Sequence, residues 1–373
     1  MHKKHYEIIV VGGGLAGLSF AILSARSGRK VLLIEKGKYP RHKVCGEFIS
    51  RESLRFMCDL GLPIVDLQLP MIDKFVLTSP YGAQASCKLN MGGIGISRYL
   101  IDDLLAKIAK EEGVELLTEK KVSSISKSTE DANFNVKLSN GNEFEGKLVI
   151  AAFGRNSGLN NEPDSTKEKF IGVKYHVSDG PADDTIEIHN FKGGYCGISK
   201  VEGDKYCLCY LAKASAFAKH GSNIEQFEDE VLKKNKHLRK RLEAPRLIKA
   251  VVTSKIQFGV HDAGSEHALT IGDAAGFIPP LTGNGMSLAF RAAKKMHNNT
   301  ENYLNGKIDI PTLAQNHQDY IQHYLKTRIN KGIFLQSLLF VNHKLFNQAL
   351  MFSITTLPGL LKILSKQAEG DEI

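Results

Sequence analysis

Gly12, Gly14 and Gly17 stand at G-x-G-x-x-G spacing, and Glu35 follows eighteen residues past the last of them. In a dinucleotide site the first glycine permits a tight turn and the second lets the backbone approach a pyrophosphate. The third lets helix and strand pack closely. Glu35 stands where an acid accepts hydrogen bonds from ribose hydroxyls, and its charge repels a 2′-phosphate. FAD or NAD is therefore expected, and NADP is not. Three further groups could serve the same ligand. Cys45-Gly46-Glu47 lies in a polar loop, Arg98 opens a helix, and Asp273 can accept from a ribitol or ribose hydroxyl. Gly283 to Met286 places backbone N–H groups at another helix N-terminus, which would stabilise negative charge on a reduced flavin ring.

These residues need elements to hold them. Tyr6 to Val11 is a β-branched apolar run that predicts one buried parallel strand. Leu15 to Ser27 has helical spacing closed by Gly28, and Val31 to Ile34 predicts a second strand ending on Glu35. Pro40 and Gly46 make Lys36 to Phe48 a loop, 51 to 62 is expected to be helical, and 63 to 92 strands and turns. Ser97 opens an amphipathic helix with Leu100, Ile101, Leu104, Leu105 and Ile108 on its apolar face. Phe134–Leu138 and Glu143–Lys147 flank an Asn140-Gly141 hairpin turn, and Leu148–Ala152 is expected as a further strand running into Phe153-Gly154-Arg155-Asn156-Ser157.

From 158 to 260 the pattern alternates in strand fashion, as in Thr185–Phe191 and Tyr206–Leu211, with a helical stretch from Asn223 to Leu242. Ala268–Ile271 predicts a return to the first sheet, and a helix is expected through Lys295. The fold class expected is α/β: a three-layer Rossmann-like domain with a parallel sheet, an inserted antiparallel-sheet substrate domain and C-terminal helices. The dinucleotide domain takes 1–157 and 261–310 with excursions near 63–95, the substrate domain 158–260, and the helical region 311–373.

Composition narrows the class. The chain has 373 residues, 42% hydrophobic and 24% charged, as in ordinary globular proteins. The net charge of +9 is spread as scattered lysines apart from Lys233-Lys234-Asn235-Lys236 and Arg239-Lys240-Arg241, and no nucleic-acid motif accompanies it. Six cysteines show no C-x-x-C and no ligand-type pairing with histidine, so no metal is expected. Met1 to His5 is polar, which predicts no signal peptide and a cytoplasmic protein with reduced thiols. The apolar tail, including Leu345 to Leu364, is interrupted by polar residues and by Pro358-Gly359, so packing against the body is preferred over peripheral membrane contact. No pattern in the sequence sets an oligomeric state.

Taken together, Gly12–Gly17 with Glu35, Ser97–Leu105 and Gly272–Met286 resemble the p-hydroxybenzoate-hydroxylase-like flavoprotein superfamily. The run G-D-A-A-G-x-x-x-P-x-x-G-x-G from Gly272 to Gly285 is specific to FAD in that group. Pro40 to Glu47, P-R-H-K-V-C-G-E, resembles the geranylgeranyl-reductase-like branch. The resemblance covers about residues 6 to 300. It implies FAD as cofactor and roles for single positions. Gly12, Gly14, Leu15, Ala16 and Gly17 hold the pyrophosphate, and Glu35 with Lys36 holds the adenosine ribose. Arg98 meets the phosphates, and the Val122 backbone lies by the adenine. Cys45 and Gly46 approach the isoalloxazine, with Cys45 the candidate catalytic residue. Gly272 and Asp273 bind the ribityl end, and Gly283, Gly285 and Met286 line the pyrimidine edge.

The chain also departs from the group's pattern. Phe153-Gly154 stands where Asp-Gly is usual, at an aspartate that helps hydroxylases handle NAD(P)H. Phe48 replaces a glycine common in the reductase motif, and a chain with no Trp cannot carry the tryptophan-containing halogenase signature. The function expected is an NAD(P)H-driven monooxygenase hydroxylating an aromatic, polyketide-like or other lipophilic small molecule. The alternatives are a flavoenzyme reducing isoprenoid double bonds and a flavin-binding electron-relay protein.

Overall fold

The computed structural model describes residues 4–128, 133–155, 159, 167–261, 268–339 and 373. The first nine strands are β1 (Lys4–Val11), β2 (Val31–Ile34), β3 (Phe48–Ser50), β4 (Met71–Thr78), β5 (Gln84–Gly95), β6 (Glu115–Leu117), β7 (Val122–Lys127), β8 (Phe134–Leu138) and β9 (Glu143–Ala151). They are followed by β10 (Phe170–Val177), β11 (Thr185–Phe191), β12 (Gly194–Lys200), β13 (Tyr206–Lys213) and β14 (Val251–Ile256).

A seven-stranded sheet runs β6-β2-β1-β9-β8-β7, with Leu269–Thr270 added beside β9. Its centre is parallel: Ile9 pairs with Leu32 on one side and Val149 on the other. Both faces of β1 are covered, which is why its residues read as a continuous apolar run rather than an alternating one. Ile8 and Val10 pack with Leu18, Phe20, Leu105 and Phe290 on one face. Ile9 and Val11 pack with Leu32, Val136 and Phe144 on the other. The carboxyl ends of β1, β2, β9 and Leu269–Thr270 deliver Gly12, Glu35, Ala152 and Gly272 to one edge, where open α/β sheets bind ligands.

The second sheet has eight strands in the order β14-β10-β13-β12-β11-β4-β5-β3. Val173, Tyr175 and Val177 of β10 turn toward a layer that includes Phe217, Phe227 and Leu238 from three short helices. The alternate residues Gly172, Lys174 and His176 therefore face the opposite way, toward the first sheet's ligand edge.

Several expectations are corrected. Glu143–Lys147 and Leu148–Ala152 form one nine-residue strand, because pairing with β1 continues through both. The second sheet is not wholly antiparallel, since β4 and β11 run parallel. The helical stretch 223–242 breaks at Asn235, whose Oδ1 caps the next helix while Nδ2 donates to Thr78, Ser79 and Asn190. The strand expected over Ala268–Ile271 shrinks to Leu269–Thr270, and the helix expected to end at Lys295 runs from Gly285 to Leu304. The calls on Asn156, Ser157 and Leu345–Leu364 lie outside the described residues. Among the described residues no helix is long and apolar enough to cross a membrane.

The helix Ile310–Asp319 contributes a buried His317, 4% exposed. Burial pushes its imidazole from the ordinary 6.5 down to about 4, and a bond to the Thr270 backbone opposes this only in part. Between these values the unfolded chain takes up a proton that the folded chain refuses, so stability falls as pH falls through that window. The loss amounts to about 3 kcal/mol. In urea titrations between pH 7 and pH 4, His317→Gln is expected to lose about 3 kcal/mol less than the wild type. Equal losses would remove His317 from the account.

Candidate functional site

The glycine turn is fixed by backbone contacts. Gly12 has φ +110°, and a Cβ there would lie 2.4 Å from the Ala152 carbonyl oxygen. A Cβ on Gly17 would lie 2.0 Å from the Gly12 carbonyl oxygen, so neither position admits a side chain. Gly14 is different. A Cβ there meets only the ends of side chains, Lys43 Nζ at 3.6 Å and Arg98 Nη2 at 3.9 Å. It opens toward two cations. The helix Leu15–Arg26 that follows has no side-chain cap among the described residues. The helices starting at Arg98, Ile224, Lys236 and Ile310 are capped by Ser97, Asn223, Asn235 and Asp309. First-turn N–H groups at Gly14 are thus left for an anionic ligand, and no first-turn acid opposes one.

Glu35 is 4% exposed and accepts from Gly13 N at 2.7 Å, Gly37 N at 2.8 Å and Arg41 Nη1 at 2.6 Å. Burial alone would raise its pKa, but Arg41, Lys43 and the Gly37 amide outweigh burial and hold it at about 2. The carboxylate thus braces the turn. Beside it, Asp102 lies fully buried and receives both Arg98, at 2.7 and 2.9 Å, and Lys43, at 3.0 Å. Burial would raise this carboxyl too, and the two cations instead hold it at about 2. Asp273 behaves oppositely: burial pushes it up, and Arg155 and Arg98 offset only part of that.

Cys45 is half-buried, and burial pushes its thiol up, so it stands as a neutral group rather than a thiolate. Cys207 Sγ donates to the Cys45 carbonyl at 3.3 Å. Two residues on, Glu47 is fully buried and joins three parts of the chain. Its Oε1 accepts from the Arg98 amide at 2.7 Å and from Lys174 Nζ, and its Oε2 meets His176 Nε2 at 2.7 Å. Glu47, His176 and Cys207 lie within 4.8 Å of one another, in reach of a metal. Lys174 Nζ pairs with the same Glu47 carboxylate, which makes it part of a buried ion pair.

Gly14, Glu35, Lys43, Cys45, Glu47, Arg98 and Asp273 line one cavity of about 760 Å³. At one end it is lined by Gly14, Leu15, Ala16, Glu35, Lys36 and Arg98. Cys45, Gly46, Gly272, Asp273, Gly283, Gly285 and Met286 line its middle. Gly12 and Gly17 do not line it; they build the turn behind. Val122 does not line it either: its side chain is buried with Leu138 and Phe144 on the far face of the sheet. The sequence reading missed Lys174 and Asn284. Asn284 is 2% exposed, and its Nδ2 is buried in the cavity wall without a protein partner. A glycine cradle, an uncapped helix start, an ionised acid and this orphaned donor fit a bound dinucleotide.

Residues 5–319 match the family model described as FAD binding domain. The chain belongs to that family. That FAD-binding domain makes it a flavoprotein. A conditioned medium factor receptor from Dictyostelium discoideum is 24% identical over 328 residues, covering 78% of this chain and 62% of that protein. The chain therefore spans less than two thirds of that relative's length. A digeranylgeranylglycerophospholipid reductase from Methanococcus vannielii is 26% identical over 329 residues, covering 77% of this chain and 74% of that protein. The structure of a flavin-dependent brominase superposes with a TM-score of 0.80 at 18% identity, covering 98% of this flavoprotein and 93% of the brominase. At that identity the match is one of fold.

Proposed function

We propose that this flavoprotein is an NAD(P)H-driven monooxygenase that hydroxylates a lipophilic small molecule, aromatic or polyketide-like. The wall of the cavity on the second sheet carries the reading. Phe75 and Leu77 of β4 pair with Ile186 and Ile188 of β11, and all four line the cavity. Leu281, Leu335 and Leu338 line it as well. Such a wall holds an apolar body by surface burial and excludes water beside the cofactor-facing residues. Bound FAD supplies the two-electron redox chemistry, and the chain supplies binding, orientation and electrostatics. Gly14 with the Leu15–Arg26 helix start and Arg98 hold the diphosphate, Glu35 holds the ribose, and Asn284 with Gly285 and Met286 donates at the pyrimidine edge.

Reduction of isoprenoid double bonds is the second reading. The Methanococcus relative is named a digeranylgeranylglycerophospholipid reductase, and the apolar wall also offers a surface for a polyprenyl chain. In this reading Cys45, beside the flavin position, takes part as a neutral thiol, and Cys45→Ala is expected to slow anaerobic turnover of a polyprenyl substrate at least tenfold. Unchanged turnover would count against that thiol.

The deciding experiment uses the purified FAD-loaded protein with NAD(P)H, a lipophilic phenol and ¹⁸O₂. Label in a hydroxylated product supports the monooxygenase. Oxygen-independent saturation of a polyprenyl probe, with no label in the phenol, replaces it with the reductase. NAD(P)H oxidation unaffected by either probe would leave neither reading standing.

A further inference from the structure

We propose that Glu47 is a positioning residue that locks the cofactor-facing Cys45–Gly46 turn to the substrate sheet and, with Lys174 and His176, sets the charge presented to the bound flavin. The inference rests on the FAD assignment alone and is independent of whether the reaction is hydroxylation or reduction.

The conformation of Glu47 is the first observation. It is a non-glycine residue at φ +56°, in the left-handed region that L side chains rarely adopt. Such a residue persists where its surroundings over-determine it. Here the side chain is held by Lys174, His176 and the Arg98 amide. The main chain is held as well: its carbonyl accepts from Ile96 N at 3.0 Å, and its amide meets Cys45 Sγ at 3.5 Å. The reversal at Glu47 leaves Cys45 and Gly46 lining the cavity while the carboxylate points into the second sheet.

The second observation is charge. Lys174 and His176 sit two residues apart on one face of β10 and are both almost wholly buried. Among the described residues the only salt-bridge partner of either is Glu47. One carboxylate therefore compensates two basic side chains directly behind the turn that meets the cofactor. Burial opposes its ionisation, and the His176 hydrogen bond and the Lys174 charge outweigh burial and keep it ionised. The third observation is connectivity. Glu47 also accepts from the first N–H of the helix that delivers Arg98 to the diphosphate end. One side chain thus ties the cofactor loop, the phosphate-facing helix and the substrate sheet together. A group in that place acts on the flavin through geometry and field.

The test compares Glu47→Gln and the double variant Glu47→Gln/Lys174→Met with the wild type, each loaded with FAD. Glutamine keeps the length and an acceptor for the Arg98 amide but removes the charge. The double variant removes the uncompensated ammonium as well, so it folds where the single variant does not. The readouts are the visible spectrum of bound FAD, its reduction potential by dye equilibration, and FAD affinity by fluorescence quenching. Glu47→Gln is expected to move the flavin bands, raise the potential and weaken FAD at least tenfold. The double variant loses one negative and one positive charge of the same pair, so it is expected to recover folding and to return the potential toward the wild-type value. A folded Glu47→Gln protein with wild-type bands and potential, or a folded double variant whose potential is displaced from wild type by at least as much as the single variant's was expected to be, overturns the proposal.

Discussion

Asp102→Ala is expected to destabilise the FAD-free protein by about 3–5 kcal/mol. Asp102 is fully buried and is the shared partner of Arg98 and Lys43. Alanine suits a helix interior, so the backbone loses nothing. What remains is two cations that have lost the carboxylate they share, with Asp273 acting on Arg98 and Glu35 on Lys43 only at longer range. The diphosphate of FAD is the natural replacement for the missing carboxylate, since both cations stand over Gly14. FAD should therefore raise the melting temperature of the variant more than that of the wild type. The control is Asp103→Ala, whose partner Lys107 is largely exposed, and which is expected to stay within about 0.5 kcal/mol of wild type. Urea titration of both proteins with and without FAD checks the prediction. An Asp102→Ala protein as stable as the control would remove the ion triad from the account.

Gly14→Ala and Gly17→Ala are expected to fail differently. At Gly17 the new Cβ meets the Gly12 carbonyl at 2.0 Å, backbone against backbone, so no rotamer relieves it. That variant should lose stability and FAD together. At Gly14 the backbone is extended, with φ −88° and ψ −174°, and a Cβ meets only flexible side-chain ends. Its fold should be intact. The methyl group stands instead where a diphosphate must approach the helix start, so FAD affinity should fall roughly 100-fold, or about 3 kcal/mol. Thermal melts of the FAD-free protein and fluorescence titration with FAD separate the two outcomes. A Gly14→Ala protein that binds FAD as the wild type does would show that the diphosphate lies elsewhere.

The contrast shows which inferences are local. Gly12, Gly14, Gly17 and Glu35 were legible because a strand, turn, helix and strand close the site within thirty-five residues, and spacing alone dictates who meets whom. The same held for Asp273 and for Gly283 to Met286, which follow a strand and open a helix. Val122 stands on β7 with its side chain in the core on the sheet's other face, so any part it takes at the site falls to its backbone, as the resemblance implies. The parallel pairing of β4 with β11 was hidden because each strand's alternation is the same whichever direction its neighbour runs.

The sequence by itself determined the cofactor turn, the acid beside it and the FAD-type glycine run, because those residues act through backbone geometry set by near neighbours. Only the tertiary structure decided what lies behind Cys45. Glu47 meets Lys174 and His176 across separations of 127 and 129 residues. No periodicity links a loop carboxylate to a lysine buried on a strand that far away. A lone lysine in a strand reads as solvated, since burying its charge is costly without a partner. The fold supplies that partner by bringing the cofactor loop onto the second sheet.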